Sequence, residues 1–202
     1  MKTHRPLILA IIGLAVLLFG IFTGITFKAE LTRPRLPVLG QVRPFTLIDA
    51  EGQGFHSDQL ANKVWVANFF FTTCANICPI MSRNMASLSR SFDQIRDIRF
   101  VSVSVNPEQD SPEALKSYAQ KLRKGKDNWF FLTGTRQEIT DVAVNNFKLG
   151  DIHEPIFHSS YFALVDKGGM IRGYYDGTNL TDINRLFKDI AVLLKEKRFL
   201  GA

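Results

Sequence analysis

The stretch VWVANFFFTTCANICPIMS, residues 64–82, decides the fold. Its first eight residues form a near-continuous apolar run, the pattern of a strand buried on both faces. Cys74 and Cys78 follow, the only cysteines of the chain, with three residues between them. From Pro79 the pattern becomes helical as far as residue 96, with Ile80, Met81, Leu88, Phe92 and Ile95 on the apolar positions. The segment reads as buried strand, loop and helix, with Cys74 in the loop and Cys78 at the helix start. In open α/β sheets chemistry collects at that place, where a strand ends and the next helix begins.

The neighbouring segments extend the alternation. Residues 45–55 (FTLIDAEGQGF) predict a hairpin turning at Glu51-Gly52, and residues 98–105 (IRFVSVSV) a strand with apolar/Ser alternation. Asp110-Ser111-Pro112-Glu113 combines a cap, a first-turn proline and an acid, the start of a helix that ends near Lys124-Gly125. A short strand at 129–132 and a helix over 135–147 come next. Residues 161–166 and 170–175 predict a hairpin, and residues 180–197 an amphipathic helix. This order predicts an α/β, thioredoxin-like fold, a central mixed sheet flanked by helices. Residues 44–202 form that domain.

Residues 7–27, LILAIIGLAVLLFGIFTGITF, carry no charge. As a helix they would span roughly 30 Å, enough to cross a bilayer core. The run exceeds a signal-peptide core, Thr26-Phe27-Lys28 offers no small-x-small cleavage site, and no cysteine follows for a lipid anchor. The expectation is an N-terminal transmembrane helix at 7–27, after a cytoplasmic tail at 1–6 and before an extended proline-containing linker at 28–43. Flanking positive charges nearly balance, so the short leading tail sets the orientation, with the domain outside. A tail without an Arg/Ser-rich presequence favours the bacterial inner membrane, with the domain in the periplasm.

The net charge of +6 comes without a basic cluster interleaved with aromatics, which argues against nucleic acid as a partner. A monomer is expected.

Outside the cytoplasm a pair of thiols meets oxidants. A helix amino terminus lowers thiol pKa values, and thiolates are both the nucleophiles of disulfide exchange and soft ligands for Cu(I). A structural disulfide closing so short a loop would restrain the unfolded chain only modestly. For a metal site the candidates are His4, His56, His153 and His158. His4 precedes the apolar run and His56 follows a hairpin turn, whereas His153 and His158 precede a core strand. Two thiolates and one imidazole suit Cu(I); structural zinc would need both His153 and His158.

Three ordered segments, FTTCANICP, SVNPEQDSPEALKSYA and HSSYFALVDKGG, resemble the Sco/SenC family of membrane-anchored copper proteins. The resemblance covers about residues 44–194. It implies a thioredoxin fold binding copper, as Cu(I) with Cu(II) as a second state, through Cys74, Cys78 and His158. It further implies a metallochaperone that builds the dinuclear copper centre of cytochrome c oxidase, with the copper-bearing subunit or its assembly factors as partners. Two residues depart from the family pattern: Ala75 stands where proline is usual, and Asn106 where an acid is usual, while Asp110 is retained. The rival reading is a thiol–disulfide oxidoreductase in which Cys74 and Cys78 reduce the cysteines of the copper acceptor. A peroxidase fits the fold but lacks Thr or Ser three residues before Cys74, where Phe71 stands.

Overall fold

The computed structural model describes residues 12–23, 36–123, 128–149 and 159–196. The chain divides into two compact units, Met1–Arg35 and Leu36–Ala202. In the first, residues 12–23 form a helix, α1, inside the uncharged run. Among the described residues no helix is long and apolar enough to cross a membrane. The rest of the run lies outside the described residues.

The second unit is built on one eight-stranded mixed sheet, in the order β1-β8-β7-β4-β5-β6-β2-β3. Its strands are β1 (Gly40–Gln41), β2 (Thr46–Asp49), β3 (Gly54–His56), β4 (Val64–Phe70), β5 (Ile98–Ser104), β6 (Trp129–Thr133), β7 (Tyr161–Val165) and β8 (Met170–Asp176). β4, β5 and β6 run parallel, and the remaining pairs are antiparallel. The helices of this unit are α2 (Cys78–Ser91), α3 (Pro112–Arg123), α4 (Arg136–Thr140) and α5 (Leu180–Lys195).

All seven residues of β4 are buried because both sheet faces are covered. Val64, Val66 and Phe70 join Met81, Met85, Leu115, Leu186 and Ile190 under α2, α3 and α5. Trp65, Ala67 and Phe69 point the other way, towards Ile139, Val142 and Phe147. Asn68, the polar interruption in the apolar run, accepts from Ser102 Oγ, which in turn accepts from Trp129 Nε1 at 2.9 Å. The buried amide oxygen therefore has a partner, as a buried polar group requires.

Several expectations change in detail. Residues 40–41, read as part of the linker, form edge strand β1, and Leu39 N–H and Val42 N–H bond the carbonyls of Ile171 and Gly169. Buried Arg172 holds the same strap: its guanidinium binds the Leu36 and Pro37 carbonyls, Asp166 at 2.7 Å and Glu196 at 3.2 Å. The helix expected to reach residue 96 stops at Ser91. Its inward stripe is Cys78, Met81, Met85 and Leu88, so Ile80 falls on the outer side, and Ile95 lies beyond the helix; both are exposed. The helix expected over 135–147 is α4 followed by one wide π-turn, Asp141–Asn146. That turn sets buried Asn146 against Arg43, whose backbone N–H and Nε both reach Asn146 Oδ1 at 3.2 Å.

Candidate metal centre

β4 delivers the chain to the site. After Phe70, whose carbonyl accepts from Val105 N–H at 2.8 Å, the backbone leaves the sheet through Thr72 and Thr73. A buried carboxylate fixes that exit. Asp110, fully buried, accepts from Thr72 N–H at 3.0 Å, from Thr72 Oγ1–H at 2.5 Å and from Ser104 Oγ–H at 2.5 Å. Thr73 Oγ1 donates to Gln109 Oε1 at 3.2 Å. The start of the cysteine loop is thereby tied to the turn that leads into α3.

Cys74 and Cys78 are both free thiols and both buried, 9% and 4% exposed. Cys74 N–H closes a turn onto the Phe71 carbonyl, and Cys78 opens α2 with Pro79 behind it. A proline in the first turn costs nothing, since its missing N–H would have had no intrahelical partner. The α2 N-cap, Ile77, has no capping side chain. The backbone N–H groups of Asn76, Ile77 and Cys78 and the Cys78 thiol instead surround the Cys74 sulfur and favour its thiolate. These are donors that a helix start leaves unpaired.

The two thiols consequently differ. Burial raises the Cys74 pKa, but the Cys78 thiol and the three backbone N–H groups outweigh it and hold Cys74 below its ordinary value. Burial and the hydrogen bond with Cys74 push Cys78 up to about 12, against a smaller opposing pull from the Phe71 backbone N–H. The pair favours one thiolate, on Cys74, sharing the Cys78 proton. Two neighbouring sulfurs, one of them acidified, form a ready seat for a soft cation.

The surroundings are apolar and aromatic. Met81 and Met85 lie fully buried in the cluster that contains both cysteines. Tyr118 packs on Phe70 at 5.2 Å between centroids and hydrogen-bonds Ser82 Oγ at 2.8 Å. Burial raises the Tyr118 pKa; Ser82 opposes it, while the charges of Cys78, Cys74 and Asp110 add to the rise. One aromatic ring therefore feels the thiols and the Asp110 carboxylate together.

His153 and His158 lie outside the described residues, as does His4. The segment that follows His158 is described. β7 is antiparallel to β4, with Ala67 opposite Ala163, so chain direction brings Ser159 and Ser160 to the sheet end at which β4 leaves for the cysteines. His56 sits at the far edge, on β3, exposed and 3.1 Å through Nδ1 from Thr46 Oγ1. Among the described residues no group of three or more His, Cys, Asp or Glu side chains is placed to hold a metal.

The two departures find structural readings. The backbone donors to Cys74 come from residues 76–78, so exposed Ala75 in place of a proline leaves that donor set intact. Asn106 forms a turn: its carbonyl accepts from Gln109 N–H and Asp110 N–H, and its own N–H donates to Ser104 Oγ. Sequence reasoning missed the clamp on Thr72. Asp110 was legible as an acid before a helix cap, but no local pattern distinguishes a buried acid there from an exposed one.

Residues 39–195 match the SCO1/SenC family. The SCO1 protein homolog of Bacillus subtilis is 34% identical over 160 residues, covering 76% of this chain and 83% of that protein. The structure of BsSco, a member of the Sco family of cytochrome c oxidase assembly proteins in which a disulfide switch was identified, superposes with a TM-score of 0.69. It is 32% identical and covers 80% of this chain and 99% of its own. Copper-bound ScoI of Arabidopsis thaliana gives a TM-score of 0.62 at 22% identity, over 75% of this chain and 99% of its own, a likeness of fold alone. The chain belongs to the SCO1/SenC family.

Proposed function

We propose that this SCO1/SenC protein is a copper metallochaperone that carries Cu(I) on Cys74, Cys78 and His158 and hands it to the copper-bearing subunit of cytochrome c oxidase. The observation that carries the reading is the thiol pair: two free, buried sulfurs at a helix start that has no capping side chain. Thiolate softness selects Cu(I) over harder cations. Loading displaces the thiol protons that the pair holds, so Cu(I) competes with protons for the two sulfurs. His158 supplies a neutral third ligand; it directly precedes Ser159, which enters the sheet at the cysteine end. Transfer proceeds by exchange of thiolates between this pair and the acceptor, the metal remaining Cu(I) throughout. The assembly role attributed to BsSco supports the oxidase as the destination.

The domain works outside the bacterial inner membrane, held by residues 7–27 as a single anchor with residues 1–6 inside. The uncharged run supports this. Protease treatment of spheroplasts is expected to degrade the domain and leave the anchor.

The asymmetry of the thiols favours a second reading, reduction of the acceptor before metallation. The Cys74 thiolate attacks the acceptor disulfide and one acceptor thiolate leaves. Cys78 then loses its proton and attacks the Cys74 sulfur, releasing the second acceptor thiolate. The acceptor gains two electrons, and Cys74–Cys78 ends as a disulfide. A strain lacking the gene separates the two. Cys74→Ala and Cys78→Ala fail to restore cytochrome c oxidase under either reading. His158→Ala fails only if copper is carried, and restoration by it would leave the reductase reading.

A further inference from the structure

α2 and α5 run side by side in the same direction, with α5 starting level with the middle of α2. Asn84 Nδ2 of α2 donates to the Gly177 carbonyl just ahead of α5, at 2.8 Å, and Phe92 at the end of α2 meets Phe187 with 4.9 Å between ring centroids. Their outer faces therefore form one surface that begins at the cysteine end. On α2 the exposed positions Ile80, Arg83, Ser87 and Arg90 recur at steps of three, four and three, a single stripe. Leu180, Phe187 and Lys188 are exposed on α5.

Exposed on this surface are Arg83, Arg90 and Lys188, side-chain cations with no ion-pair partner among the described residues. α2 contains no acid. The acids of α5 are engaged: Asp182 with Asp176 N–H and Arg185, Asp189 with the Tyr175 hydroxyl at 2.7 Å. Between the cations lie Ile80, Leu180 and Phe187, 38%, 68% and 42% exposed. Arg side chains around exposed apolar residues are the composition of a protein interface core. Along the helix axis Arg83 stands about 8 Å from Cys78, within a Debye length of the thiols at physiological salt.

We propose that this surface docks an acidic, thiol-bearing protein domain, the acceptor whose cysteines exchange with Cys74 and Cys78. The inference rests on the thiol reading above and adds the partner's charge and its seat. A protein is favoured over a lipid surface because the stripe starts beside the thiols, and a seated partner must bring sulfur to them. The surface then orients the approach and raises the encounter rate.

The test uses the full chain, reduced, in neutral-lipid nanodiscs. The probes are two oxidised peptides carrying one internal disulfide, one flanked by four Asp/Glu and the other by four Asn/Gln. In the wild type the acidic peptide is expected to exchange about tenfold faster at low ionic strength, and about twofold faster in half-molar salt. Arg83→Glu/Arg90→Glu/Lys188→Glu should remove that preference, read as the ratio of acidic- to neutral-peptide rates within the variant. Equal wild-type rates for the two peptides, or a preference that survives charge reversal, would overturn the docking surface. So would a neutral-peptide rate that drops in anionic phosphatidylglycerol nanodiscs for the wild type alone, which would assign the stripe to lipid. Failure of both peptides to react contradicts the thiol reading itself, a separate outcome.

Discussion

Replacing Asp110 tests whether the cysteine loop is held from below. The carboxylate is fully buried, no cation among the described residues pairs with it, and it accepts three hydrogen bonds, from Thr72 N–H, Thr72 Oγ1–H and Ser104 Oγ–H. In Asp110→Ala, Ser104 Oγ is left fully buried without its acceptor, and Thr72, half-buried, exchanges its two bonds for water. An orphaned buried donor costs about 1–3 kcal/mol, and hydrogen bonds to a charged group contribute about 1.5–3 kcal/mol each. Against this, the variant no longer desolvates a carboxylate, which offsets part of the loss. The net expectation is a destabilisation of about 2–4 kcal/mol. With a urea slope of about 2 kcal/mol/M, the unfolding midpoint should fall by about 1–2 M at unchanged slope. Asp110→Asn keeps the shape, and its amide can still meet all three groups if the Thr72 hydroxyl reverses, so its loss should be no more than about 1 kcal/mol. A midpoint for Asp110→Ala within about 0.25 M of wild type would refute the clamp. Equal losses in the two variants would show that charge, not geometry, holds the loop.

At pH 7 iodoacetamide should modify Cys74 first, with a rate–pH midpoint below that of an ordinary thiol. Cys78 should stay protonated and slow until about pH 12, because burial and its bond to Cys74 favour its neutral form. Mass mapping of the alkylated peptides decides this, and faster labelling of Cys78 contradicts the assignment. Arg172→Ala removes a guanidinium that ties the 36–42 strap and Glu196 to Asp166, at an expected cost of about 2–4 kcal/mol once the partial exposure of both carboxylates is discounted. Amide exchange at Leu39 and Val42 should quicken in that variant, and unchanged exchange would sever Arg172 from the strap. Asp182 is held below the usual carboxylate range, first by Asp176 N–H and then by Arg185. Its contribution is present above the unfolded carboxylate pKa and lost as pH falls through the folded one, so Asp182→Asn should flatten the acid limb of the stability–pH curve.

The strand–cysteine–helix unit was legible because each part has its own local signal. Seven buried residues of β4 show as an apolar run broken only at Asn68, and α2 was read from Met81 and Leu88 on its inward stripe, although Ile80 and Ile95 proved to lie off it. The hairpin through Gly169, at φ +79°, was equally plain, since that backbone angle suits glycine. What stayed hidden depends on partners far along the chain. Gly40–Gln41 is a strand only because Met170 and Ile171 stand opposite it, and two residues carry no periodicity. Asp110 faces Thr72 across 38 positions, and Arg172 reaches Leu36 across 136. The unlike acidities of Cys74 and Cys78 follow from which sulfur receives the helix N–H groups, a matter of loop geometry that spacing alone does not determine.

The central claim is a two-sulfur, one-nitrogen Cu(I) seat, and anaerobic Cu(I) titration of the full reduced chain against a competing chelator tests it most directly. The account predicts one tightly held Cu(I) per wild-type chain, and loss of that binding in Cys74→Ala, Cys78→Ala and His158→Ala. Wild-type affinity retained in His158→Ala would contradict the three-ligand site.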